Sequence, residues 1–167
     1  MDAQRTLARW DEVLTDVQWW RAAIRDACAA HGIAGSAAGP GCDHDALSNP
    51  VFAIGDNLIL KFYWPKSVPV EGVALEALAS NSHVAVPAVV ATGVLQGDIG
   101  WPYVIMRRVQ GEPLEWNLAD LPLAAQEAVA GQLGGHVRAL HATDPSDIRA
   151  IERRHRLGVG GPSRAKC

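Results

Sequence analysis

Lysine is nearly missing from this chain. Residues 1 to 165 hold only Lys61 and Lys66. Cysteine is scarce as well: Cys28, Cys42 and Cys167 are odd in number and show no C-x-x-C spacing, which argues against a disulfide framework or a zinc site. No basic stretch followed by an apolar core opens the sequence, so no secretory signal is expected. The most apolar run, VAVPAVVATGVL, carries Pro87 and Gly93 and is too short to cross a bilayer. These absences predict a soluble, cytoplasmic protein without a membrane partner.

The 167 residues are 49% apolar and 20% charged, an ordinary globular composition. Charge is unevenly spread. Residues 149–167 carry six Lys/Arg against Glu152, or +5, so the remaining 148 residues carry −8 of the net −3. An acidic body excludes nucleic acid as the expected partner.

Apolar period divides the chain. Residues 3–31 read as a helix, with Leu7, Trp10, Leu14, Val17 and Ile24 on one face and Gly32 as its stop. Residues 33–49 read as a loop with one weak strand. PVFAI and LILKFY, joined by Gly55-Asp56-Asn57, form a hairpin pattern; Leu58, Leu60 and Phe62 share one face, and Ile59, Lys61 and Tyr63 the other. EGVALEALASN reads as a helix, VPAVVATGVL and WPYVIMRRV as two further strands around QGDIG, and 122–142 as a last helix with Val129, Leu133, Val137 and Leu140 as its seam. The order predicts an α+β fold: an antiparallel sheet with helices to one side. We expect four stretches: a helical segment at 1–32, a lobe at 33–110, a linker and helix at 111–148, and a disordered basic tail at 149–167. Left exposed, the 122–142 seam would favour self-association.

Two charges interrupt this pattern. Lys61 lies in a strand, and Glu71 lies with Leu75 and Leu78 on the inward stripe of the following helix. Partly buried ions are costly unless matched, so mutual pairing, completed by a third charged species, is the economical arrangement. The plainer alternative has Lys61 reaching water along its stem and Glu71 favouring the start of its own helix. His136 and His141 are five residues apart, which does not put two imidazoles on one face; packing or surface roles are expected.

The segments SNPVFAIGDNLILKFY, EGVALEALA, VAVPAVVATG, WPYVIMRRVQGEPL and LGGHVRALHAT occur in this order from Ser48 to Thr143. Together they resemble the aminoglycoside phosphotransferase family, whose fold is similar to that of protein kinases. SNPV, WPYVIM and the following QG look especially like its hygromycin-type kinases. The resemblance implies a kinase-like N-terminal lobe, ATP with Mg²⁺ as cofactors, and transfer of phosphate to a small-molecule hydroxyl, as in antibiotic resistance. It implies that Ser48 and Asn49 lie in the loop over the phosphates, that Lys61 contacts the α- and β-phosphates and that Glu71 orients it. Adenine would meet the backbone C=O of Arg107 and N–H of Val109 in a linker from Met106 to Gly111. Gly39-Pro40-Gly41 stands upstream, but there is no G-x-G-x-x-G.

The chain departs from the family beyond His141. Phosphoryl transfer needs an aspartate at the acceptor hydroxyl and carboxylates on Mg²⁺. The family keeps these in an H-G-D-x-x-x-x-N-like loop and a later aspartate. The 26 residues after His141 contain no H-x-D, and TDPSD reads as a helix-ending turn. No catalytic or metal-binding residue can be named, and the chain alone is expected to be inactive. Two readings remain: a truncated or frame-shifted phosphotransferase keeping its ATP-binding lobe, or a stand-alone nucleotide-binding or interaction module. The abrupt change to a basic tail favours the first.

Overall fold

The computed structural model of the chain describes residues 10–34, 37–40, 49–65, 70–79, 84–96, 100–111, 114, 118–146, 149 and 153. Its elements in order are helices α1 (Trp10–Val13) and α2 (Val17–Ala29), strands β1 (Ala37–Pro40), β2 (Val51–Ile54) and β3 (Leu58–Phe62), helix α3 (Val70–Ala79), strands β4 (Val89–Leu95) and β5 (Trp101–Arg107), a 3-10 turn at Leu118–Asp120, and helix α4 (Leu123–His141). The strands form one antiparallel sheet in the order β1-β2-β3-β5-β4. This is the expected α+β, kinase-like arrangement, and β1 is the weak strand anticipated between 33 and 49. The tail from 154 onward lies outside the described residues.

The long first helix is instead two. Residues 1–9 lie outside the described part, and Leu14–Asp16 separate α1 from α2. Asp16 takes an extended conformation (φ −76°, ψ 94°), and its carboxylate accepts the Gln18 and Trp19 backbone N–H groups at 2.9 and 3.2 Å. This is N-cap chemistry, and a capping aspartate starts a new helix where apolar spacing alone read continuity. The Val13 carbonyl at the break accepts the Trp20 indole N–H at 2.7 Å. At the other end Gly32 adopts φ +65°, with Gly32 N–H donating to the Ala29 C=O and Ile33 N–H to the Cys28 C=O. Glycine enters this left-handed closing conformation without Cβ strain.

The helices also do not lie to one side. Trp20, Ala23, Ile24, Ala27 and Cys28 of α2 pack with Phe52, Leu60, Phe62, Trp101, Tyr103 and Ile105 on one face of the sheet. Tyr63, Val104 and Met106, joined by Ile59, Val89 and Leu75 of α3, form a second cluster. Alternate β5 residues serve the two clusters, so α2 and α3 cover opposite faces. The physical sign is WPYVIM, buried at every position from 101 to 106. A strand covered on both faces has no polar side to alternate with.

Two prolines end β3. Phe62 N–H donates to the Pro50 C=O and Tyr63 N–H to the Pro102 C=O, each at 2.9 Å. Neither proline has an N–H to return the bond, so both ladders stop just after Lys61. The chain then leaves the sheet toward α3.

Helix α4 contributes no buried side chain, and Leu133, Val137 and Leu140 of its seam are exposed. No helix among the described residues is long and apolar enough to cross a membrane.

Candidate functional site

Lys61 is the fourth residue of β3 and pairs with Val51 on β2 and Val104 on β5. Its side chain is therefore on the α3 face. Helix α3 lies close over this part of the sheet at Gly72, where a Cβ would meet the Val104 and Thr92 methyls at 3.5 and 3.6 Å. That approach brings Glu71, in the first turn of α3, over the strand.

Lys61 Nζ donates to Glu71 Oε2 in an ion pair. The side chains are 22% and 39% exposed respectively, so the pair is sheltered by the sheet while water reaches one edge. Glu71 thus satisfies both the helix-start preference and the pairing requirement, and Lys61 meets this carboxylate instead of reaching water alone. An ammonium carries three donors, and Glu71 takes one. The arrangement can hold an anion at its open edge while the carboxylate keeps the lysine from swinging away.

Tyr63 is the third member. Its hydroxyl donates to Glu71 Oε2 at 3.2 Å, and Lys61 Nζ lies 5.6 Å from its ring centroid, within cation–π range. Burial first, then the negative charge of Glu71 and the hydrogen bond to it, raise the phenol pKa strongly. Tyr63 is therefore a neutral donor throughout the neutral pH range.

The remaining predicted positions are spread over the sheet and α4. Asn49 is half-buried and precedes Pro50, at the end of β2 beside the Lys61 end of β3; Ser48 lies outside the described residues. Arg107 closes β5 opposite Leu58, and its N–H donates to the Ala88 C=O at 2.8 Å. Arg108 N–H donates to the Asn57 C=O at 2.9 Å, tying the segment after β5 to the β2–β3 turn. Val109 is 69% exposed. Arg107 and Lys61 are three rungs apart, about 10 Å along the sheet. Ile59 and Met106, a register pair, lie between them on the Lys61 face. His136 and His141 are at exposed positions on α4. Asp144 Oδ1 accepts the Ser146 N–H at 2.8 Å, and hydrogen bonding from the Ser146 side chain, then from its backbone, lowers the Asp144 pKa. Among the described residues no group of three or more His, Cys, Asp or Glu could hold a metal ion.

The model of a phosphotransferase enzyme family, APH, matches residues 43–159. The chain belongs to this family. Among solved structures, this phosphotransferase-family chain is similar to the GDP complex of wild-type aminoglycoside 2'-phosphotransferase-IIIa, with 24% identity, TM-score 0.55, and 70% of this chain and 40% of that one covered. A point mutant of that enzyme with GDP matches at 24% identity and TM-score 0.56, covering 70% of this chain and 39% of the other. The GDP and kanamycin complex of APH(2")-IIia matches at 24% and 0.55, covering 70% and 40%. The chain thus spans about two fifths of the length of those structures, and the likeness is one of fold. Comparison with curated protein sequences found no match.

Within the phosphotransferase-family fold, the structure brings together Lys61 and Glu71, places Asn49 near their end of the sheet, and puts Arg107 and Val109 at the other. Sequence reasoning assigned Tyr63 to the Lys61 face but no role. The signal was available, since a phenol two residues after Lys61 in a strand shares its face. What it lacked was the height of α3, which decides whether Glu71 comes within reach of both.

Proposed function

We propose that this chain is the nucleotide-binding part of an ATP-dependent phosphotransferase that acts on a small-molecule hydroxyl, such as that of an aminoglycoside. The Lys61–Glu71 ion pair between β3 and α3 is the observation that carries this reading. Lys61 would contact the α- and β-phosphates, and Glu71 would hold it in place as a helix glutamate does in the phosphate clamps of protein kinases. Asn49, with Ser48, would close over the phosphates. The base would lie toward the other end of the sheet, between Ile59 and Met106 and the Arg107 C=O and Val109 N–H. Backbone groups serve as adenine partners whatever side chains stand beside them, which explains an arginine and a valine at these positions.

Mg²⁺ would neutralise phosphate charge in the complete site. Its ligands are not assigned to any residue of this chain. The sequence after His141 contains no H-x-D, so the chain alone is expected to bind nucleotide without turnover. The neighbouring structures carry GDP, and GTP therefore belongs in the test beside ATP.

The test is a thermal shift. ATP or GTP should raise the melting temperature of the wild-type chain, and Lys61→Ala should abolish the rise while leaving the nucleotide-free melting curve cooperative. An equal rise in both proteins would remove Lys61 from the site. Phosphorylation of kanamycin by this chain alone would contradict the expectation of binding without turnover.

A further inference from the structure

Among the described residues, Tyr63 is the buried polar side chain aimed at the ion pair that the proposed function leaves without a task. It is 7% exposed, and its ring packs with Val104 and Met106. Its backbone N–H is anchored to the Pro102 C=O at 2.9 Å, on β5 inside the sheet. The ring therefore cannot follow a moving partner. Its hydroxyl reaches Glu71 Oε2, the same oxygen that accepts Lys61 Nζ.

We propose that Tyr63 is a positioning residue for the phosphate-binding lysine. It fixes the Glu71 carboxylate from the sheet side and lines the Lys61 ammonium with its ring, so that the lysine is pre-aimed before nucleotide arrives. This inference rests on the nucleotide-clamp reading above. Glu71 is the group in need of fixing. Helical side chains lean back onto the preceding turn, and Glu71, in the first turn of α3, has among the described residues no earlier turn of its helix to lean on. A carboxylate held by one flexible lysine can swing with it. A second donor on a rigid ring removes that freedom, and the order is then present before binding instead of being imposed by it. A buried phenol that merely needs an acceptor would stabilise the fold without changing how the site distinguishes phosphates.

The experiment measures dissociation constants for ADP, GDP, adenosine and guanosine by calorimetry on the full chain and on Tyr63→Phe, Tyr63→Leu and Lys61→Ala. Tyr63→Phe keeps the ring and loses the hydroxyl. It should weaken the diphosphate about fivefold, in keeping with loss of a hydrogen bond to a charged group that acts at one remove, while nucleoside affinity stays constant. Tyr63→Leu, which also removes the ring face, should weaken it further. A second readout does not depend on any variant folding. The sequence has two tyrosines, and Tyr103 lies in the cluster on the opposite face of the sheet. With 3-fluorotyrosine in place of both, the diphosphate should shift the ¹⁹F resonance of Tyr63 and leave that of Tyr103 still. If Lys61→Ala loses diphosphate binding but Tyr63→Phe does not, and the Tyr63 resonance stays unmoved, the inference fails and the clamp stands. If the wild-type chain binds no diphosphate, or Lys61→Ala binds it as well, both fall together.

Discussion

Tyr103 and Gly93 show how tightly single residues constrain this sheet. They face each other across β4 and β5, and the tyrosine ring folds over the glycine. A Cβ at position 93 would lie 2.4 Å from the Tyr103 hydroxyl oxygen, closer than real contacts allow. That hydroxyl shares a hydrogen bond of 2.9 Å with His31 Nε2, just beyond α2. Gly93→Ala must therefore displace a ring that lies over the edge strand β4 and ties β5 to the segment just after α2. We expect it to lower stability by about 1–3 kcal/mol in chemical denaturation, the usual cost of overpacking. Gly32, with nothing within 4 Å of its would-be Cβ, is kept instead by its positive φ. Two glycines in one sequence thus serve different physical needs, space at 93 and backbone freedom at 32. On the opposite layer, Lys61 and Glu71 were legible as a pair because each breaks an apolar pattern. Tyr63 was less legible, since an aromatic at that position satisfies the pattern.

Among the elements, α2 is the one that completes the larger core cluster. Trp20 is fully buried, stacks on Phe62 with ring centroids 4.9 Å apart, and meets Trp101 edge-on at 5.3 Å. The start of α2 sets the rotation that delivers this ring. Asp16 sets the start by accepting two backbone N–H groups. Asp16→Ala should cost about 1 kcal/mol by loss of the cap, while Asp16→Asn or Asp16→Ser should recover most of it. Paired urea titrations of the three variants would show the order. Failure of Asn and Ser to rescue would mean that the break between α1 and α2 is imposed by packing and not by the cap. Strands β2, β3 and β5 were legible to within two residues, since they are short apolar runs bounded by turn or proline residues, whereas β4 starts three residues later than its apolar run and β1 was legible only as a weak strand between 33 and 49. The split of the first helix was not, because the spacing from Trp10 to Ile24 fits continuous helix and only local hydrogen bonding decides otherwise.

At the scale of the molecule, one layer of sheet lies between α2 and α3, while α4 keeps an apolar seam in water. Leu133, Val137 and Leu140 are 59%, 43% and 44% exposed. Apolar surface arranged as a helical stripe favours association with a like stripe. The isolated chain should sediment as species larger than a monomer at micromolar concentration, and the triple change Leu133→Glu, Val137→Lys, Leu140→Glu should return it to a monomer with its melting temperature unchanged. A monomeric wild type would show that the stripe has no such tendency. The sequence by itself determined where most strands and helices lie, though not the break at Leu14–Asp16, because apolar period, glycine and proline act over a few residues. It also marked Lys61 and Glu71 as charges in need of partners. Only the tertiary structure decided which face of the sheet each helix covers, since a two-sided strand such as WPYVIM reads the same from either face. Only it decided, too, that the two prolines ending β3 and the close approach at Gly72 bring Lys61, Glu71 and Tyr63 to one point, which depends on contacts between residues distant in the chain.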